Sequence, residues 1–138
     1  MNSGAFTLRA RAAVLSVLMV GIATTGIGAE ESRVPVMIGG EAVLDACGSR
    51  GEVAGLKPVP GNTLTVRAGP GFNHPRLDEL LPGAKVWICA REGRWVGVVY
   101  GADLSQCGVS VPAPKRHAYT GPCSSGWAYD QYIRATAG

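Results

Sequence analysis

Charge is scarce in this 138-residue chain: Asp, Glu, Lys and Arg make up 17% of it, and no basic cluster is longer than Lys115-Arg116. That is a poor match to the electrostatic footprint of a nucleic-acid binder, so no nucleic-acid partner is expected. Only two histidines occur, His74 and His117, both isolated. The four cysteines include no C-x-x-C pair, so the close ligand spacing of a metal site is missing and no metal is expected. Nowhere do apolar residues recur at helical spacing over ten or more mature residues, which excludes a helical bundle. Gly69-Pro70-Gly71 lacks the lysine and the following helix of a phosphate loop. The serines have no Asp and His partners at motif spacing. Asp78 and Glu79 point to opposite faces if extended, whereas general acid–base work needs two carboxyls across a cleft. No catalytic residues and no cofactor are expected. What is abundant is turn-forming sequence: 20 glycines and 9 prolines, spread without a period. That dispersal excludes a collagen-like or low-complexity chain and implies many turns.

The N-terminal 29 residues carry Arg9 and Arg11 and no acid, then the apolar run Ala12 to Ala23, then the small residues Gly26, Gly28 and Ala29. A basic start, an apolar centre and a small-residue end make a secretory signal over 1–29. A retained anchor is the rival, but a spanning helix needs about 20 predominantly apolar residues, and this run decays into Thr24 and Thr25. No cysteine follows to carry a lipid. The mature chain, 30–138, is therefore expected in the periplasm or secreted, without membrane contact. Removing the segment takes Lys plus Arg from 13 to 11 and leaves Asp plus Glu at 10, a net charge of +1. A chain this small buries only about two-thirds of its unfolded surface and gains from cross-links.

Cys47, Cys89, Cys107 and Cys123 all lie in the mature part. An even number in an exported chain reads first as two disulfides, of which three pairings are possible. Cys47–Cys89 with Cys107–Cys123 is favoured, because the second bridge closes a local excursion in a stretch that otherwise reads as structureless.

The mature sequence reads as short strands between Gly/Pro turns. Leu64 to Arg67 alternates apolar and polar residues, as a half-buried strand does. Lys85 to Ala90 and Trp95 to Tyr100 are rich in β-branched and aromatic residues and flank a turn at Gly93. Gly97 inside the second of these marks a close backbone approach or a bulge. Gly126 to Tyr129 is a last short strand, followed by a closing turn packed by Tyr132 and Ile133. Residues 72–83 read as an excursion pinned by Leu77, Leu80 and Leu81, and 101–126 as irregular. Such a pattern predicts an all-β domain and, at this size, a small barrel.

Leu64-x-Val66-Arg67-x-Gly69-Pro70-Gly71, Leu80-x-Pro82-Gly83-x-x-Val86, Gly93-x-Trp95, and Gly126-Trp127 with Tyr132 resemble the pattern of bacterial SH3-type (SH3b) domains. Cys47, Val53-x-Gly55-Leu56, Cys89 and Cys107-Gly108 are similar to a cysteine-containing secreted subgroup of that family. The resemblance covers a core of 64–133, with 30–63 as an N-terminal extension. It implies an SH3-like barrel of five to six short strands, with 101–126 as a disulfide-stapled insertion. It further implies a secreted, non-catalytic binding module of the cell envelope, with peptidoglycan or a periplasmic protein as partner. The alternative is a stand-alone secreted inhibitor or interaction protein that uses the 101–126 loop.

Aromatic side chains with a polar tip suit recognition, and Tyr100, Tyr119 and Tyr129 are the expected exposed, ligand-reading residues. Trp87 shares a face with Cys89, and Val86 with Ile88; alternation alone does not say which face turns inward. Arg67 is expected to brace the 72–83 loop rather than to hold an anionic ligand.

Overall fold

The computed structural model describes residues 33–137 together with Ser16 and Gly21, so the expected signal segment 1–29 lies, those two residues apart, outside the described residues. Eleven strands follow in order: β1 Met37–Ile38, β2 Glu41–Asp45, β3 Ser49–Val53, β4 Leu64–Arg67, β5 Arg76–Leu80, β6 Lys85–Glu92, β7 Trp95–Tyr100, β8 Pro112–Ala113, β9 His117–Ala118, β10 Ser124–Tyr129 and β11 Ile133–Ala137. Single 3₁₀ turns occupy Leu104–Gln106 and Asp130–Tyr132, and the described residues contain no α-helix. The architecture is all-β and antiparallel. Seven strands form one sheet in the order β11-β3-β6-β7-β10-β4-β5, and two ribbons, β1-β9 and β2-β8, stand beside it.

One face of the sheet curls around the main core. Val53, Leu64, Val66, Leu80, Val86, Val96 and Val98 meet there, although they come from strands far apart in the sheet order. The opposite face of β6 and β7 is covered as well. Trp87 and Val99 pack under Ile38, Cys47, Cys107 and Val109, while Trp95 and Trp127 pack under Val36. Both outer layers come from segments beyond the sheet: the lead-in to Cys47, and the 101–123 insertion. Every residue of β7 is consequently buried, which explains a near-continuous apolar run where one-sided burial would have produced alternation. Gly97 is the point of closest cover: a Cβ there would stand 3.0 Å from Val36 Cγ1 and from the Ala90 Cβ. The facing strand is irregular at the same place, between Ile88 and Ala90.

The two disulfides are Cys47–Cys89 and Cys107–Cys123, as favoured from the sequence. The first fastens the lead-in to the outer face of β6. The second closes the insertion beside the end of β7, where Cys123 Sγ would lie 3.2 Å from a Cβ at Gly101.

Several expectations need correction. The excursion 72–83 contains β5, whose pattern is exposed at Arg76 through Glu79 and buried only at Leu80. An edge strand with one inward residue carries no alternation to read, and its charged residues blunt the open edge. The stretch 101–126 is less irregular than expected, because β8 and β9 lie in it and pair with β2 and β1. The closing turn continues into β11, which pairs with β3. Strand β3, assigned by the sequence to an extension, is integral to the main sheet, since it pairs with both β6 and β11. Five to six strands thus underestimates a seven-stranded sheet with two added ribbons.

Candidate binding site

Tyr129 and Trp95 end and begin adjacent strands and stand directly opposite each other in the β10–β7 ladder. Side chains of such cross-strand partners meet on one face, and here the ring centroids are 5.4 Å apart. Residues 68–75 leave β4 through Gly69-Pro70-Gly71 and fold back over this pair. Phe72, at the tip, places its ring 4.9 Å from Trp95 and 5.3 Å from Tyr129. It does so while remaining 68% exposed. Tyr132, from the 3₁₀ turn, extends the row at 6.4 Å from Tyr129.

Arg67 holds the turn that carries Phe72: its Nη1 donates to the His74 carbonyl at 3.0 Å. Bracing, the role read from the sequence, is thus what the side chain does, and its guanidinium also lies 5.6 Å from the Phe72 ring centroid. Asp130 accepts a hydrogen bond from Arg91 at 3.2 Å and forms an ion pair with Arg94 at 3.1 Å, and its N–H donates to the Arg94 carbonyl at 2.9 Å. These contacts lock the 3₁₀ turn to the β6–β7 hairpin, with Arg94 over the Tyr129 ring. On the far side, Asn62 Nδ2 donates to the Lys57 carbonyl at 3.0 Å and closes the 57–62 turn.

Between these walls runs a groove of about 350 Å³, floored by Leu64, Trp95 and Tyr129 and flanked by Lys57, Thr65 and Arg67. The volume suits a small ligand or a few residues of a larger one. Apolar ring faces with cations and hydroxyls at the edge recognise by stacking and peripheral hydrogen bonds.

The three tyrosines expected to read ligand are divided. Tyr129 lies in the aromatic groove, half-buried. Tyr119 stands elsewhere, within the insertion, where its hydroxyl donates to the Cys107 carbonyl at 2.8 Å and accepts from the Cys123 N–H at 3.1 Å. Tyr100 is not exposed: it is 7% accessible and packs into the main core. Its hydroxyl donates to Asp78 Oδ2 at 3.1 Å. Burial, reinforced by the adjacent Asp78 charge and that hydrogen bond, pushes the phenol well above its ordinary range. The alternation of β7 was ambiguous because both faces are covered. Trp95 and Tyr132 carry the family resemblance but are not among the three expected ligand readers, and Phe72 alone has no place in the sequence reading, although it had a usable signal. A phenylalanine inside Gly-Pro-Gly-Phe-Asn has no strand to carry it into a core.

No group of three or more potential metal ligands occurs among the described residues, and all four cysteines are used in disulfides. Compared with protein-family models, with curated proteins and with solved structures, the chain matches none. The fold and the site by themselves define a two-disulfide, all-β domain that presents an aromatic groove.

Proposed function

We propose that the chain is exported and works without catalysis as a binding module of the cell envelope, with peptidoglycan held in the Phe72–Trp95–Tyr129 groove. The barrel expected of an SH3-type domain is part of this reading, and the shared core of β3 to β7 and β10 supports it. So does the position of the blocks that carry the resemblance. Val66 to Gly71 forms β4 and the Phe72 turn, Gly93-x-Trp95 the β6–β7 hairpin, and Gly126-Trp127 the centre of β10. Two disulfides suit an oxidising compartment, and no helix among the described residues is long and apolar enough to cross a membrane.

The observation that carries the proposal is Phe72. A phenylalanine left 68% exposed on a braced turn, against two further rings, contributes little to folding and much to a contact surface. The packing of the insertion favours this reading over the inhibitor alternative, because Cys107 and Val109 are buried in the second core and do not protrude. The test is co-sedimentation of the purified, oxidised protein with protein-free peptidoglycan sacculi. Saturable retention that disappears on reduction is the expected result. Absence of retention at tens of micromolar, a concentration at which a module worth about 7 kcal/mol would be half bound, overturns wall binding and directs the search to an envelope protein.

A further inference from the structure

On a different face, two adjoining cavities of about 370 and 570 Å³ share Arg33, Leu77, Tyr119, Thr120 and Ser125. They run between the edge strand β5, the start of β10 and the stapled insertion. The aromatic residue common to both is Tyr119, and its ring is unusually well fixed. Its hydroxyl bridges the backbones of Cys107 and Cys123, the two residues joined by the second disulfide. With the hydroxyl so used, what Tyr119 offers to the groove is the ring. The cross-link therefore positions an aromatic plate at the junction of the cavities.

The larger cavity is polar. Asp78 enters it from β5 with both carboxylate oxygens oriented, Oδ1 by the Glu79 N–H at 2.8 Å and Oδ2 by the buried Tyr100 hydroxyl at 3.1 Å. A carboxylate has about four lone-pair sites, so acceptor capacity remains after these two bonds. Thr120, Ser124 and Ser125 line the same cavity, and a Ser or Thr hydroxyl both donates and accepts. Arg33 is fixed at the rim by donating from Nη2 to the Ser125 carbonyl at 3.2 Å.

We infer that this groove is a second binding site, for a short, uncharged saccharide. Two other classes fit less well. A phosphate or other dense anion would face the Asp78 carboxylate. A purely apolar ligand would bury that carboxylate with its remaining acceptor capacity unmet. A sugar ring supplies hydroxyls for the carboxylate and the Ser/Thr groups, and an apolar C–H face for the Tyr119 ring. Asp78 and Arg33 already hold their positions, so little of their freedom is lost on binding. This site is independent of the aromatic groove.

The experiment is an ¹⁵N HSQC titration of the oxidised protein with chitotriose and, separately, cellotriose, one trimer N-acetylated and the other not. Saturable shifts at Tyr119, Thr120, Ser124 and Ser125 with either trimer are expected, and a preference between them identifies the class of sugar. Asp78→Asn should weaken binding about 10-fold, as loss of a charge-assisted hydrogen bond does. Thr120→Trp, which fills the cavity, should abolish it, and Phe72→Ala should leave it unchanged. Retained dispersion of the rest of the spectrum reports that each variant is folded. The inference is overturned if neither trimer perturbs these amides, if the shifts map to the Trp95 groove alone, or if both folded cavity variants bind as the wild type does.

Discussion

Phe72 and Gly126 illustrate how differently single residues are constrained here. Phe72→Ala removes an exposed ring, so stability should change by no more than about 0.5 kcal/mol while retention on sacculi falls at least tenfold; a denaturant curve beside a binding isotherm separates the two. Gly126 is the reverse case. A Cβ there would press into Val66 and stand 2.9 Å from the Arg67 carbonyl, one residue before Trp127, which pairs with Arg67 where β10 meets β4. Gly126→Ala should cost about 1–3 kcal/mol, the usual price of overpacking, measured as a lower urea midpoint at unchanged slope. Tyr100 adds a pH dependence. Its folded phenol is held above the ordinary value near 10, so the protonated form is the one the fold favours. The corresponding stability is complete below pH 10 and is lost as pH rises beyond it. Urea midpoints followed from pH 8 to pH 11 should fall more steeply for the wild type than for Tyr100→Phe; equal slopes would contradict this assignment.

Strands were legible where both the residue type and the pattern spoke together. Leu64 to Arg67 alternates because one face is buried, and Trp95 to Tyr100 is apolar throughout because both faces are. Neither cue exists for β5, β8, β9 or β11. These are edge or two-residue pieces, held by register with a partner rather than by any side-chain period of their own. Strand β3 was misplaced for a related reason: Ser49-Arg50-Gly51-Glu52 looks like a turn, and only pairing with β6 and β11 makes it extended. The insertion depends on its cross-link in the same way. Cys107 and Cys123 are 16 positions apart in the chain, and opening a loop of that length costs about 3 kcal/mol in the chain-entropy model. Cys107→Ser/Cys123→Ser should therefore lower thermal stability, and hydrogen exchange should accelerate first at Val109 and Tyr119. Exchange that remained as slow as in the wild type would show that the second core holds the insertion without its bridge.

Across the whole molecule, the sequence disclosed the material of the domain better than its surfaces. The disulfides and β architecture follow from composition and punctuation, whereas a groove is a relation among residues distant in sequence. Phe72, Trp95, Tyr129 and Lys57 meet only because β7 and β10 pair and the turn after β4 folds back over them. Tyr100 shows the converse, a residue of the right chemistry that the main core removes from solvent. The central claim is that peptidoglycan is held by the Trp95 groove, and the three tryptophans are natural reporters of it. Trp87 and Trp127 donate their indole N–H groups to the Leu104 and Val34 carbonyls at 3.0 and 2.8 Å, and neither lines this groove. The decisive measurement is an ¹⁵N HSQC titration of the oxidised protein with soluble peptidoglycan fragments, observing the three indole resonances. A saturable shift of the Trp95 indole, with Trp87 and Trp127 unmoved, is what the account predicts. A silent Trp95, or equal movement of all three, would contradict it.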